Sequence, residues 1–185
     1  TPFACWTATT GNGAVPMSER QTPTFRAFGG RSEASAALGA DLAQTLDAAL
    51  AKRGVANLVV SGGTSPAEMF RYLRDIPLAW EKVTVTPSDE REVPPDHPDR
   101  NEAMIRRELL QGPASQAFLV SLIPPGDIPD RFDAAVLGMG GDGHTASLFP
   151  GSPDLLHALE NPTKLARLEV PELGVHRVSL TASAL

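Results

Sequence analysis

The residue types best suited to chemistry stand in Leu137-Gly138-Met139-Gly140-Gly141-Asp142-Gly143-His144-Thr145-Ala146-Ser147-Leu148-Phe149-Pro150. Four glycines in the six positions 138–143 allow positive φ angles and a loop that crowds a binding space, into which Asp142 and His144 arrive almost together. Imidazole titrates near neutral pH, so His144 can accept a proton from water and return it to a leaving oxygen. A single histidine is more often a cap or core residue; the glycine loop following an apolar segment favours chemistry for this one. His97, His157 and His176 lack such surroundings and read as surface or structural residues. No serine nucleophile elbow and no cysteine–histidine pair occurs, so covalent catalysis is not indicated.

Two further constellations suit anions. In Ser61-Gly62-Gly63-Thr64-Ser65-Pro66, paired glycines follow an apolar run and precede a proline fit to start a helix. Backbone amides at such a helix start, with the positive end of its dipole and the hydroxyls of Ser61, Thr64 and Ser65, suit an anion. An ordinary capped turn has the same spacing. There is neither the lysine of a nucleotide-phosphate loop nor three spaced glycines, which removes support for nucleotide hydrolysis and hydride transfer. In Asp89-Glu90-Arg91 the guanidinium can fork onto phosphate or carboxylate while an acid holds it or meets substrate hydroxyls. A solvated charged loop is the commoner fate of such a triplet.

These residues need elements to position them. Ala34, Leu38, Leu42, Leu46 and Leu50 recur at helical spacing, predicting a helix from a Ser32 cap to about Lys52, ended by Gly54. Strands are expected at 25–28, 58–60, 83–86, 118–122 and 134–137, with helices from Pro66 and over 101–110. Apolar strands alternating with helices predict an α/β fold, a mainly parallel doubly wound sheet flanked by helices, with ligands beyond the carboxyl ends of the strands.

The chain has 185 residues, 42% hydrophobic and 21% charged, an ordinary globular composition for one domain. The formal net charge of -6 disfavours nucleic acid and anionic membrane surfaces as partners, and no apolar run is long enough to span a bilayer. A cytoplasmic protein is expected. The lone Cys5 supports neither an internal disulfide nor a zinc site, so no metal is expected.

Taken in chain order, the three constellations, with Val93-Pro94, Asn101 and His176-Arg177-Val178-Ser179-Leu180-Thr181, resemble the 6-phosphogluconolactonases. The likeness runs from about Phe25 to Leu185, and its 137–150 loop is its most specific part; the other motifs are shared with glucosamine-6-phosphate deaminases. It implies hydrolysis of a phosphorylated sugar lactone, 6-phosphoglucono-δ-lactone, in the oxidative pentose phosphate pathway without metal or organic cofactor. It also implies a sheet related to the deaminases and to ribose-5-phosphate isomerase. On this resemblance His144 is general base and then acid, and Asp142 orients it or a substrate hydroxyl. The phosphate is expected on the amides of Gly62, Gly63 and Thr64 beside Ser61, with Arg91 and Arg177 as cations and Asp89 and Gly140 completing the substrate site. A monomer or weak homodimer is expected.

Deaminases place a catalytic glutamate where this chain has Phe149, which disfavours ring opening and ammonia release. A non-catalytic sugar-phosphate sensing domain is the other alternative, and the retained His144 argues against it. Arg100 stands where the lactonases tend to have serine, and is expected to add a charge near the site entrance. Residues 1–23 are expected to be an extraneous segment without stable structure, and 24–185 a single lactonase domain that stops before a final strand and helix.

Overall fold

The protein is described by a computed structural model over residues 4–5, 24–171 and 175–185. Most of the 1–23 segment expected to lack structure lies outside the described residues. Within it, β1 (Ala4–Cys5) pairs antiparallel with β2 (Arg26–Ala27), so the strand expected at 25–28 joins a separate two-stranded ribbon.

Helix α1 (Arg31–Arg53) buries Leu42, Ala43, Leu46 and Ala49 along one stripe, as the spacing requires. Its N-cap is Gly30, not Ser32: Ser32 lies within the first turn, its Oγ 3.0 Å from Tyr72 Oη, while Glu33 accepts the Gly29 N–H at 2.9 Å. Gly54 ends the helix in the left-handed conformation, φ 77°, and donates its N–H to Leu50 O.

Next come β3 (Ala56–Val60), α2 (Ala67–Arg74), β4 (Val83–Pro87), β5 (Asp89–Arg91) and α3 (Asn101–Glu108). They are followed by β6 (Phe118–Leu119), β7 (Ala134–Val136), α4 (Leu155–Glu160), β8 (Leu165–Val170) and β9 (Val175–Leu180). A parallel sheet in the order β6-β4-β3-β7 is flanked by helices, the expected architecture. Side-chain alternation explains its two faces. Ala56, Leu58, Val60, Val83 and Val85 face α1, α2 and α3, forming a core with Leu46, Phe70, Leu73, Trp80 and Ile105. Each large apolar side chain so buried contributes roughly 1.5–3 kcal/mol. Val59 and Ala135 point the other way, where Val120, Leu122, Ile128, Phe132 and Leu180 cover the sheet.

A second, antiparallel sheet runs β5-β9-β8. The acidic triplet expected as a loop is therefore a strand, with Asp89 opposite Ser179 and Arg91 opposite Arg177. Its partner is remote in sequence, so no local pattern announces the pairing. Helix α4 covers this sheet through Ala158, Ala166 and Leu168. The sheets join where β3 and β4 end: Ser88 donates to Val60 O and Leu180 to Ser88 O, both at 2.8 Å. That junction brings β5 and β9 against the glycine loops.

Candidate active site

The turn after β3 leaves the sheet with Ser61 donating its N–H to Val136 O at 2.9 Å. Gly62 is required by a close approach: a Cβ there would overlap the Asn101 carboxamide. Gly63 adopts φ 85°, a conformation that favours glycine. Pro66 is the N-cap residue of α2, so the turn runs directly into the start of that helix.

Asp89 is buried, accepting from Ser88 Oγ at 2.9 Å and Ser147 Oγ at 2.7 Å, with Arg177 Nη1 at 3.8 Å from its Oδ2. It thus ties the histidine loop to β5 and β9. Arg91 extends Nη1 to Asp99 O at 2.6 Å and Asn101 Oδ1 at 2.8 Å. Opposed guanidiniums across two strands are unfavourable unless an anion joins them. Burial, and then the neighbouring Arg91 charge, lower the Arg177 pKa, only partly offset by Asp89 and Glu90. The arginine remains charged, but its charge is under-compensated, which an incoming phosphate would correct.

In the histidine loop only Gly143 among the glycines has a positive φ, 88°, together with Ala146 at 50°. Of the four glycines, one therefore uses the positive φ that the sequence allows. Gly140 instead makes room: a Cβ there would overlap the His144 ring and lie 2.7 Å from Asp142 Oδ1. The loop closes on itself, Gly140 N–H to His144 O at 2.8 Å and Gly143 N–H to Gly140 O at 3.0 Å. Asp142 Oδ1 lies 2.6 Å from His144 Nδ1 and accepts the His144 backbone N–H at 3.2 Å. These bonds, the backbone one foremost, hold the Asp142 carboxyl below its ordinary pKa. An ionised carboxylate can only accept, so Nδ1 carries the proton and Nε2 keeps the lone pair a base needs. The ring rests on Phe149, centroids 4.3 Å apart, and Arg177 lies over the same phenyl at 5.3 Å.

A hollow of about 240 Å³ is lined by Ser61, Gly62, Gly63, Asp89, Arg91, Gly140, His144 and Arg177. Thr64 and Asp142 are not on its wall: Thr64 is exposed, and Asp142 stands behind the imidazole. Ser65, Asn101 and Met139 line it as well. Asn101's place follows from its approach to Gly62, a contact that sequence spacing does not reveal. A second hollow of about 530 Å³ shares Arg91 and Arg177 and adds Glu92, Asp99 and His176. His97 Nδ1 accepts from Asp99 N at 3.2 Å, and His157 Nε2 lies 2.6 Å from Asn161 Nδ2. Arg100, expected near the entrance, is instead buried between Glu90 and Glu102, because the start of α3 turns its side chain inward. Among the described residues no cluster of three His, Cys, Asp or Glu is placed to hold a metal ion, and no helix is long and apolar enough to cross a membrane.

The family described as glucosamine-6-phosphate isomerases/6-phosphogluconolactonase matches residues 30–128 and 119–185. The 6-phosphogluconolactonase of Pseudomonas aeruginosa is 40% identical over 164 residues, 79% of this chain and 69% of that protein. A 6-phosphogluconolactonase crystal structure from Shewanella baltica superposes with a TM-score of 0.81 at 34% identity, covering 85% of this chain and 74% of that one. A monomeric glucosamine-6-phosphate deaminase, 16% identical, shares the fold, with a TM-score of 0.62 over 84% of this chain and 74% of its own.

Proposed function

Since the chain belongs to the glucosamine-6-phosphate isomerase/6-phosphogluconolactonase family, we propose that it hydrolyses 6-phospho-D-glucono-1,5-lactone to 6-phosphogluconate. The observation that supports this reading is a single hollow lined both by the imidazole that Asp142 orients and by Ser61, Gly62, Gly63, Arg91 and Arg177. Hydrolysis of a lactone needs an activated water, stabilisation of the tetrahedral oxyanion and a proton for the departing ring oxygen. His144 Nε2 removes a proton from water as it attacks the carbonyl carbon. Nδ1–H goes on donating to Asp142, whose carboxylate stabilises the imidazolium formed. The C–O bond to the ring then breaks, and the proton passes from Nε2 to the leaving oxygen. Arg91, Arg177 and the loop amides of Gly62 and Gly63 hold the phosphate and fix the ring against the imidazole.

Phe149 packs against His144 and offers no acid for sugar ring opening. On this reading the reaction belongs to the oxidative pentose phosphate pathway, in the cytoplasm, with a monomer or weak homodimer using no metal or organic cofactor. The test is 6-phosphogluconate formation measured against the spontaneous hydrolysis of the lactone. His144→Ala should lower turnover by about two to four orders of magnitude. A rate for that variant close to the parent's would remove the histidine from the chemistry, and ammonia release from glucosamine 6-phosphate would mark a deaminase instead.

A further inference from the structure

We propose that the buried Glu90–Arg100 pair is a positioning device for the anion grip, acting through Asn101 on the Arg91 guanidinium; its kinetic readout rests on the lactonase reading, its binding readout only on the phosphate site within it.

Glu90 lies between Asp89 and Arg91 on β5 and is wholly buried. Its Oε1 accepts the N–H groups of Arg91 and Asn101, each at 2.8 Å, and its Oε2 accepts that of Glu102 at 2.9 Å. The last two are orphan donors in the first turn of α3, where Arg100, the N-cap residue, makes no side-chain cap bond. One carboxylate therefore fixes the start of α3 and the backbone carrying Arg91. Arg100, 3% exposed, lies against that carboxylate as an ion pair, Nε 3.5 Å from Oε2 with no hydrogen bond between them. Its Nη2 reaches Glu102 Oε1 at 3.0 Å and Ile123 O at 3.1 Å.

Asn101 converts this backbone order into side-chain order. Its Nδ2 donates to Asp89 O at 2.7 Å, and its Oδ1 accepts from Arg91 Nη1 at 2.8 Å. Neither Glu90 nor Arg100 lines the hollow, whereas Asn101 and Arg91 do. A buried ion pair is weak evidence of a contribution to stability, since an apolar pair of similar volume commonly serves as well. An apolar pair cannot accept three N–H groups aimed at one point. That demand singles out a carboxylate, and its geometric output is the placement of the guanidinium.

The test compares the full chain with Glu90→Gln, Arg100→Met, Arg100→Lys and the Glu90→Gln/Arg100→Met double variant. For each, KM and kcat for the lactone, 6-phosphogluconate affinity by calorimetry, and Tm are measured. In Glu90→Gln an amide donor replaces one acceptor and faces the Glu102 N–H, loosening the start of α3 that carries Asn101. KM should rise and product affinity fall by about 10- to 100-fold, with kcat much less affected. The double variant should be no worse than the poorer single one, because the two residues act as a unit. Arg100→Lys, keeping the charge but not the fork, should lose an intermediate amount. A lower Tm with KM and product affinity unchanged would overturn the proposal and leave the pair a stabilising element only. Should Glu90→Gln fail to fold, Arg100→Lys decides: parental affinity for 6-phosphogluconate refutes the positioning role, and weakened affinity with a cooperative melt supports it. A parent chain that binds 6-phosphogluconate yet leaves the lactone at its spontaneous rate would refute the lactonase reading, while the affinities of the variants still judge the positioning role.

Discussion

Replacing Gly140 by alanine isolates the position of the imidazole from its chemistry. Gly140 does not have a positive φ, so alanine brings no backbone strain of that kind. Its Cβ would overlap His144 Nδ1 and Cε1 and stand 2.7 Å from Asp142 Oδ1. Carbon contacts settle near 3.5–4.0 Å, so the ring and carboxylate must retreat by about 1 Å. A misplacement of that size costs on the order of 100-fold in rate, about 2.7 kcal/mol of barrier. The arginines and the Ser61–Gly63 turn are untouched, so kcat should fall about 100-fold while KM stays within about twofold. Gly141→Ala supplies the control, since nothing lies within 4 Å of a Cβ there and its φ is not positive. Steady-state kinetics of both variants against the spontaneous background decide the matter. Equal kcat values for Gly140→Ala and Gly141→Ala would refute the argument that packing against Gly140 sets the histidine.

Gly62→Ala should push the Asn101 carboxamide off Arg91 and raise KM about tenfold or more with a smaller change in kcat; an unchanged KM would separate Asn101 from substrate binding. Arg177→Gln removes a charge-assisted partner worth about 1.5–3 kcal/mol, so KM should rise by roughly one to two orders of magnitude, and a loss confined to kcat would contradict an anchoring role. The Asp142 carboxyl should titrate below its ordinary 3.8 in a carbon-detected NMR experiment. Its pKa is depressed by the bonds it accepts from His144, so its hold on the loop is complete above the ordinary value and lost as pH falls through the lower one. A midpoint at or above 3.8 would contradict the bond geometry.

The two glycine loops, the helical stripe of α1 and the parallel strands were legible because each is written in neighbouring residues. Alternation at period two, leucines at spacing four and a glycine after the last helical turn express local constraints on backbone and burial. The acidic triplet was not legible in the same way. Asp89, Glu90 and Arg91 read as a charged loop after a strand, either meeting substrate or merely solvated, and they form a strand because β9 pairs with them from far along the chain. Arg100 read as a charge near the site entrance for the same reason. Only the packing of α3 against β5 puts its guanidinium beside a carboxylate in the interior. The Ser32 cap failed on a simpler ground: Gly30 begins the helix two residues earlier, freeing the serine to meet Tyr72.

Taken alone, the order of residues determined that an imidazole, an acid and a glycine-rich turn occupy loops at strand ends in an α/β chain, since these are matters of spacing and local conformation. Tertiary structure alone decided that those loops share one hollow, that Arg177 faces Arg91, and that Glu90 orders Asn101. The physical reason is that hydrogen bonds and charge pairs act over a few ångströms in space, while the residues making them stand 11 to 86 positions apart along the chain.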